Sequence, residues 1–269
     1  KCTGKEKNKE GGCEIMFLLL KFTLLYAVVL MLVALGGMFS ERSGVINIAL
    51  EGIMAIGGLA GVFVLALCGD ALPPAALVAV SILASAVAGV LYSLLLGFSA
   101  ITLKADQTIG GTALNMLATA VAIVMVKAFN NSSDSGNGAA SAKLTYNNQA
   151  FIYKVGPFTF NIFLFIGIIL LIVSYVFLFK TKWGLRLRAC GEHPQAADSV
   201  GINVYKWRYI GVMISGALGG IGGFAYIVPS VTTWNFEVGV AGAGFLALAV
   251  MIFGQWKPFN IAGAAVFFA

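Results

Sequence analysis

Long apolar runs separated by short polar stretches make up most of the chain. Each run comes close to the ~20 residues that a helix needs to cross the hydrocarbon core of a bilayer. The runs lack the alternation of apolar and polar positions that is typical of transmembrane strands. They extend over Phe22–Ser40, Gly52–Gly69, Ala71–Leu103, Gln107–Val126, Val155–Phe179, Tyr209–Phe236 and Val238–Trp256. The pattern predicts an all-α fold, a polytopic transmembrane helical bundle of about seven or eight helices.

One of the predicted helices carries polar residues near its start. Asn47 and Glu51 are four positions apart, so on a continuous helix they would share one face. A carboxylate and an amide at membrane depth are costly and usually face a polar cavity or a partner. Alternatively, the pair lies at the headgroup interface or braces a broken or re-entrant helix, and the sequence leaves both interpretations open. The predicted helices lie near residues 17–39, 45–68, 75–98, 108–129, 159–179, 209–229 and 239–256, with the start of another in the tail 260–269.

The composition excludes a soluble globular domain. Apolar residues make up 59% and charged residues 10% of the 269 positions, whereas a typical soluble domain has about 25% charged residues. The mean hydropathy is +0.93. One soluble core could not bury so many apolar side chains, so lipid must cover much of the surface.

Basic residues concentrate in one loop, 180–208, between two apolar runs. Positive charge in a short loop is typical of the cytoplasmic side of a membrane protein, so the net charge of +6 needs no nucleic acid polymer as a partner. A cytoplasmic position for this loop makes the polar, glycine-rich stretch 130–158 an external loop and starts the first helix outside. The basic residues are Lys180, Lys182, Arg186, Arg188, Lys206 and Arg208.

Glycines within the apolar runs recur at helical spacing. Lipid gives helices no hydrophobic reason to associate, so small residues that allow close backbone approach supply the packing. The pairs Gly57/Gly61, Gly216/Gly220 and Gly219/Gly223 therefore predict a compact bundle rather than a binding site.

Sequence motifs for catalysis and metal binding are absent. The chain has no GxxxxGK[ST] phosphate loop, GxSxG elbow or HExxH pair, and its one histidine, His193, lies in the basic loop. Its four cysteines are scattered without a CxxC pair, which argues against zinc or a disulfide framework. We therefore predict that the chain has no catalytic residues and no metal site, and that it is not an enzyme.

The basic loop also predicts a short helix. Pro194 suits the first turn of a helix, and Gln195–Val200 then forms a cytoplasmic helix with a small alanine face. Such a helix fits a groove on a partner protein. Elsewhere, Asp106 and Gln107 predict a helix start with a capping carboxylate, and Asn115 lies two turns deeper in that helix.

Several segments together resemble the permeases of ABC importers, a transport family powered by ATP. The loop segment Gln195-Ala-Ala-x-x-x-Gly201 is similar to the family's E-A-A-x-x-x-G coupling pattern, with Gln in the Glu position. The resemblance covers about Met16–Ala269 and points to the branched-chain amino acid/ribose class, nucleoside/simple-sugar branch. Met16 looks like a natural start for the family, whose members continue beyond residue 269. The other segments are Glu41–Met54, Leu103–Thr108, Ala113–Leu117 and Gly242–Gly254.

The resemblance implies a type II ABC-importer-like permease in a bacterial cytoplasmic (inner) membrane, with residues 1–15 as a polar N-terminal extension and 16–269 as one transmembrane domain. It implies as partners a second permease, two ATP-binding cassette ATPase subunits and an external substrate-binding protein, with ATP and Mg²⁺ on the ATPase and no cofactor on this chain. Asn47, Glu51 and Asn115 are the candidates for lining the substrate pathway. The helix within 190–202 is the candidate ATPase-coupling segment, formed by Gly191, Glu192, His193, Pro194, Gln195, Ala196, Ala197 and Gly201.

Other functions stay open at this point. An ion-coupled secondary transporter or channel usually carries midplane carboxylates, and Glu51 is the one acid well inside an apolar run. A membrane-embedded enzyme is the third class. Within the importer class, the expected substrate is a nucleoside or simple sugar, with riboflavin as another possibility.

Overall fold

The structure, a computed structural model, describes residues 4–69, 73–133, 142–148, 151–155, 158–229 and 231–269. Within these residues, a π-helical turn at Phe98–Thr102 follows α3. The strands are β1 Lys143–Thr145, β2 Ile152–Val155, β3 Phe158–Asn161 and β4 Thr233–Asn235. The helices are α1 Gly4–Arg42, α2 Leu50–Cys68, α3 Pro74–Gly97, α4 Gln107–Ser133, α5 Ile162–Lys180, α6 Lys182–Glu192, α7 Pro194–Ser199, α8 Val204–Ile227, α9 Ala243–Phe253 and α10 Pro258–Phe268.

In the described part of the chain, six helices are long and apolar enough to cross a membrane, namely α1 to α5 and α8. The apolar helices α9 and α10 have 11 residues each, which spans only about 16 Å at 1.5 Å per residue. The polytopic helical fold is thus confirmed, and the predicted seven or eight helices correspond to six long and two short ones.

Helix α8 lies at the centre and packs against α1, α2 and α3. Within their apolar segments, α1 and α8 are each 72% buried, whereas α3 is 28% buried and α4 and α5 are each 22% buried. The outer helices carry large exposed apolar side chains such as Leu91, Met116 and Ile169. This distribution is that of a bundle in lipid, where the periphery is as apolar as the core.

Glycines allow α8 to approach its neighbours at backbone distance. Gly220 lies against Gly57 of α2 and against the carbonyl oxygen of Ser85 of α3. A Cβ on Gly57 would overlap the Cα of Gly220, and a Cβ on Gly220 would overlap the carbonyl oxygen of Ser85. Gly223 packs in the same way against the carbonyl of Met54. The predicted role of these glycines in packing is confirmed.

The two ends of the bundle differ. At one end, α6 and α7 form the basic segment beside the last turn of α1. At the other end, β1 pairs antiparallel with β4 and β2 pairs antiparallel with β3. The predicted external loop 130–158 therefore includes the end of α4 and three short strands, while 134–141, 149–150 and 156–157 lie outside the described residues.

Several predicted boundaries were wrong because they were drawn at charged residues. Helix α1 begins at Gly4 instead of near residue 17, and α8 begins at Val204 instead of near 209. For α8, the side chain of Asn203 accepts a hydrogen bond from the backbone N–H of Lys206 at 3.0 Å and caps the helix. A helix can extend beyond the hydrocarbon core into water, where charges cost little.

The predicted helix 239–256 is shorter because its first residues adopt left-handed backbone. Gly239, Ala241 and Gly242 have φ values of 63°, 53° and 81°, a region incompatible with a right-handed helix. Helix α9 consequently begins only at Ala243.

Candidate functional site

The candidate pathway residues meet at a break between α1 and α2. Helix α1 ends at Arg42, and Gly44 follows it with a φ of +89°. The backbone N–H of Val45 donates a hydrogen bond to the carbonyl oxygen of Ser40 at 3.2 Å, which is a Schellman-type helix end. Residues 43–49 are non-helical, and Val45 and Ala49 are buried in the bundle. The expectation that Asn47 and Glu51 share a helical face is wrong, since Asn47 precedes the first residue of α2.

Asn47 ties this break to the central helix. It is fully buried, and its Nδ2 donates a hydrogen bond to Ser215 Oγ of α8 at 2.8 Å. Within the described residues, Asn47 Oδ1 has no hydrogen-bond partner. A buried amide that is half satisfied costs free energy, so the contact with Ser215 fixes where the break can lie.

Asn115 of α4 holds the other side of the break. Its Oδ1 accepts from the backbone N–H of Gly52 at 2.8 Å, and its Nδ2 donates to the carbonyl of Ile48 at 3.0 Å. The first backbone N–H groups of a helix have no partner within the helix, and the amide of Asn115 supplies one for α2.

Glu51 joins α2 to the start of α9. Its Oε1 accepts from the backbone N–H of Gly242 at 2.8 Å and its Oε2 from that of Gly244 at 2.7 Å. A carboxylate at a helix N-terminus stabilises both the unpaired N–H groups and the positive end of the helix dipole. Of the two interpretations, bracing a break is therefore seen directly in the contacts, and pathway lining stays a prediction.

Replacement of Asn115 by Ala should destabilise the break. The change removes two hydrogen bonds, so we expect the free energy of unfolding to fall by about 2 kcal/mol, measured by denaturant titration of the protein in detergent micelles. Met116→Ala is the matched control, because Met116 is 78% exposed on the same helix. Equal losses for both variants would contradict the bracing role.

The candidate coupling segment consists of α6, α7 and the turn between them. Pro194 stands in the first turn of α7, as predicted. Ala197 is buried against its own chain, whereas Gln195 and Ala196 are exposed. His193 and Glu192 are exposed, and Gly201 ends the segment with φ +81°.

The end of α6 rests on the end of α1. Gly191 contacts the carbonyl group of Arg42 so closely that a Cβ would overlap it. Arg42 Nη1 and Glu192 Oε1 form an ion pair at 3.6 Å. Gly191 and Ala197 thus hold the segment to this chain, and Val200, directly after the last residue of α7, is 78% exposed.

Two side chains outside the membrane-spanning helices, Cys190 and Asp106, have pKa values that differ from the usual ones. Burial raises the pKa of the Cys190 thiol, and the positive charge of Arg208 partly opposes this. Backbone N–H groups of Ile109 and then Thr108 hydrogen bond to Asp106 and hold the pKa of its carboxyl below the usual value. The Asp106 oxygen accepts these bonds at 3.1 and 2.8 Å, which confirms the predicted helix cap.

One contact had no signal in the sequence. Trp256 Nε1 donates to Glu41 Oε2 at 2.5 Å, although the two residues are 215 positions apart. In the sequence, Glu41 stands out only as the first residue of the segment Glu41–Met54 that resembles the permease family. In the described part of the chain, no group of three His, Cys, Asp or Glu side chains could hold a metal ion.

Comparison with known proteins gives consistent matches. The sequence pattern of the family described as branched-chain amino acid transport system / permease component matches residues 19–269. The chain is 42% identical over 259 residues to the guanosine ABC transporter permease protein NupQ of Bacillus subtilis (strain 168), covering 95% of this chain and 81% of that protein.

Two further relatives carry related names. The nucleoside ABC transporter permease protein NupC of Lactococcus lactis subsp. cremoris (strain MG1363) is 39% identical over 246 residues, or 87% of this chain and 74% of that protein. The glucose ABC transporter permease protein TsgB13 of Haloferax volcanii is 26% identical over 259 residues, or 91% of this chain and 66% of that protein. No solved structure matches the chain.

Proposed function

This chain belongs to the branched-chain amino acid transport system permease family, and we propose that it is the membrane-spanning subunit of an ATP-driven nucleoside importer. It is a multi-pass membrane protein and a transport subunit. The observation that carries the nucleoside assignment is the 42% identity to a guanosine permease over 95% of the chain. The relatives named for glucose are 29% and 26% identical, which favours the nucleoside over the sugar.

The proposed complex contains this chain, a second permease, two ATPase subunits and an external substrate-binding protein. ATP and Mg²⁺ would bind the ATPase subunits, so hydrolysis takes place outside this chain. The family membership supports ABC-type partners in general, and the number and identity of the subunits are part of the proposal.

The exposed face of α7 is the proposed contact for the ATPase. Gln195 and Ala196 are exposed in α7 and Val200 directly after it, while Ala197 packs against the rest of the chain. A short helix with a small apolar exposed face fits a groove on a partner. Docking of the ATPase through this face would leave Gly191 packed on Arg42. A movement of the ATPase that displaces α6 and α7 would therefore also displace the end of α1.

The proposed pathway runs beside the break, where Glu51 and Asn115 are only partly buried. The contact between α2 and α8 is filled at backbone distance around Gly57 and Gly220, which leaves no room for a nucleoside at that contact. We therefore place the pathway on the side of α2 and α4 that faces away from α8, next to the second permease. Asn47, which is fully buried, would support the pathway from behind.

The function is tested by reconstituting the complete complex in proteoliposomes and measuring uptake of radiolabelled guanosine. We expect uptake to require ATP and to be competed by other nucleosides but not by glucose or riboflavin. Uptake that persists with an inactivated ATPase subunit and follows an ion gradient would instead identify a secondary transporter. Turnover of substrate by the chain alone would identify an enzyme.

Val200→Trp should weaken the docking of the ATPase. The large ring directly after α7 would not fit a groove shaped for small side chains, so we expect at least a tenfold loss of ATPase association, or about 1.4 kcal/mol, measured by co-purification. Val238→Trp is the matched control, since Val238 is 64% exposed and lies near β4 at the opposite end. Unchanged association of the Val200 variant would exclude this face as the contact.

A further inference from the structure

Two adjacent residues at the end of α1 hold two different elements. Arg42 contacts the end of α6, and Glu41 contacts the turn between α9 and α10. We propose that Glu41 and Arg42 link the coupling segment to α9, so that displacement of α6 and α7 moves α9 and its bonds to Glu51. The proposal rests on the function proposed above and assigns positioning residues to it.

The connection from α6 to α1 is tight. Gly191 lies directly on the carbonyl group of Arg42, and beside it the position of a Cβ on Gly44 is 3.3 Å from the Cα of Gly191. The side chains of Arg42 and Glu192 add an ion pair at 3.6 Å. Because atoms already in contact cannot interpenetrate, a shift of the end of α6 toward α1 must displace the last turn of α1.

The connection from α1 to α9 and α10 combines direct helix packing with one charged hydrogen bond to the turn between them. Trp256 Nε1 donates to Glu41 Oε2 at 2.5 Å. Gln255 and Trp256 have φ values of 51° and 52°, in the left-handed region that is unfavourable for residues with a Cβ. Such a backbone persists only where its surroundings hold it. Backbone hydrogen bonds within the turn and the bond to Glu41 hold it, and the bond to Glu41 is the side-chain contact that ties it to the last turn of α1.

Helix α9 connects that turn with the candidate pathway. It is 11 residues long, a rigid rod of about 16 Å, and left-handed residues flank both of its ends. At its N-terminal end, the N–H groups of Gly242 and Gly244 bind the carboxylate of Glu51. Because the helix is rigid along its length, a movement of Trp256 at one end shifts the N–H groups bound to Glu51 at the other.

The contacts are able to change during a transport cycle. Glu192 is 66% exposed and Arg42 is 26% exposed as side chains, and an ion pair that is open to water is weak and readily broken. A pocket of about 200 Å³ lies between Glu41, Arg42, Gly191, Glu192 and Trp256. This free space gives the two side chains of α1 room to repack, which a purely static support would not need.

The principal test uses Trp256→Phe in the complete transporter in proteoliposomes, with guanosine as the transported probe. The change keeps an aromatic ring but removes the N–H donor. A hydrogen bond to a charged group commonly contributes a factor of ten or more, so we expect about a tenfold fall in uptake per ATP hydrolysed, with ATP hydrolysis retained. Trp234→Phe is the matched control, because Trp234 lies in β4 at the other end of the bundle and its Nε1 has no hydrogen-bond partner within the described residues; it should keep the wild-type ratio.

A charge exchange provides a second test that does not depend on Trp256. Arg42→Glu and Glu192→Arg should each lower uptake per ATP, and the double variant should recover most of the loss. Glu237→Gln, on the half-exposed pair with Lys127 at 3.2 Å, controls for a charge change elsewhere. An unchanged ratio in Trp256→Phe, or a double variant no better than the single ones, would overturn the link.

The two proposals fail in different ways. If the wild-type complex shows no ATP-dependent uptake, the proposed function is wrong. If the wild type and the Trp234 and Glu237 controls transport normally while the link variants also keep the wild-type ratio, the function stands and the link is wrong. Should Trp256→Phe be absent from the membrane, the charge exchange decides.

Discussion

Gly220→Ala is expected to prevent stable assembly of the bundle. The added Cβ would overlap the carbonyl oxygen of Ser85, and Gly57 approaches from the other side, so neither neighbour can yield without moving a helix backbone. Overpacking of a well-packed core costs about 1–3 kcal/mol, and we expect the upper end of that range because the clash is with backbone. The free energy of unfolding in detergent and the amount of protein in the membrane both report the effect.

Gly263→Ala is the matched control for this change. Gly263 also lies in an apolar helix, α10, but a Cβ there would meet no atom within 4 Å. Since Ala is favoured over Gly within a helix by roughly 0.5–1 kcal/mol, this variant should be as stable as the wild type or slightly more stable. A Gly220 variant that unfolds at the same denaturant concentration as the control would refute the close packing of α8 on α3.

Glu51→Ala should have the second large effect, on both stability and transport. The carboxylate accepts two backbone hydrogen bonds at the start of α9, and charged hydrogen bonds contribute about 1.5–3 kcal/mol each. Partial exposure of Glu51 reduces this through solvent screening, so we expect a loss of about 3 kcal/mol. Guanosine uptake should disappear because α9 loses its anchor.

The comparison of Glu51→Gln with Glu51→Ala separates anchoring from lining. Glutamine keeps one acceptor oxygen, so about half of the lost stability should return, as measured by denaturant titration. Glu237→Gln, on the half-exposed pair with Lys127, is expected to behave like the wild type. A Glu51→Ala protein that is as stable as the wild type yet transports a different set of nucleosides would show that Glu51 contacts substrate and does not anchor α9.

Much of the architecture was predictable because it depends on local composition. The apolar runs predicted the six long helices, since a segment of about 20 apolar residues has no stable alternative in lipid. Pro194 predicted α7, because its ring suits the first turn of a helix. The glycine spacing predicted close packing, although not which helix each glycine would meet.

The candidate site was predictable only in part. Asn47, Glu51 and Asn115 stood out because polar side chains are costly at membrane depth. Their partners could not be read from the chain: Asn47 binds Ser215, 168 positions away, and Glu51 binds Gly242, 191 positions away. The expectation of a shared helical face for Asn47 and Glu51 failed because local periodicity carries no information on where a helix starts when distant groups satisfy its first N–H groups.

The sequence by itself determined that this protein is a polytopic helical membrane protein with a short helix in its basic loop, and it indicated the permease family only as a resemblance. Only the tertiary structure decided that α2 starts after a buried break, that α9 is short and held by Glu51, and that Glu41 meets Trp256. The physical reason is the range of the forces. Burial in lipid and helix propensity act on each segment alone, whereas a hydrogen bond needs two groups that only the packed bundle brings together.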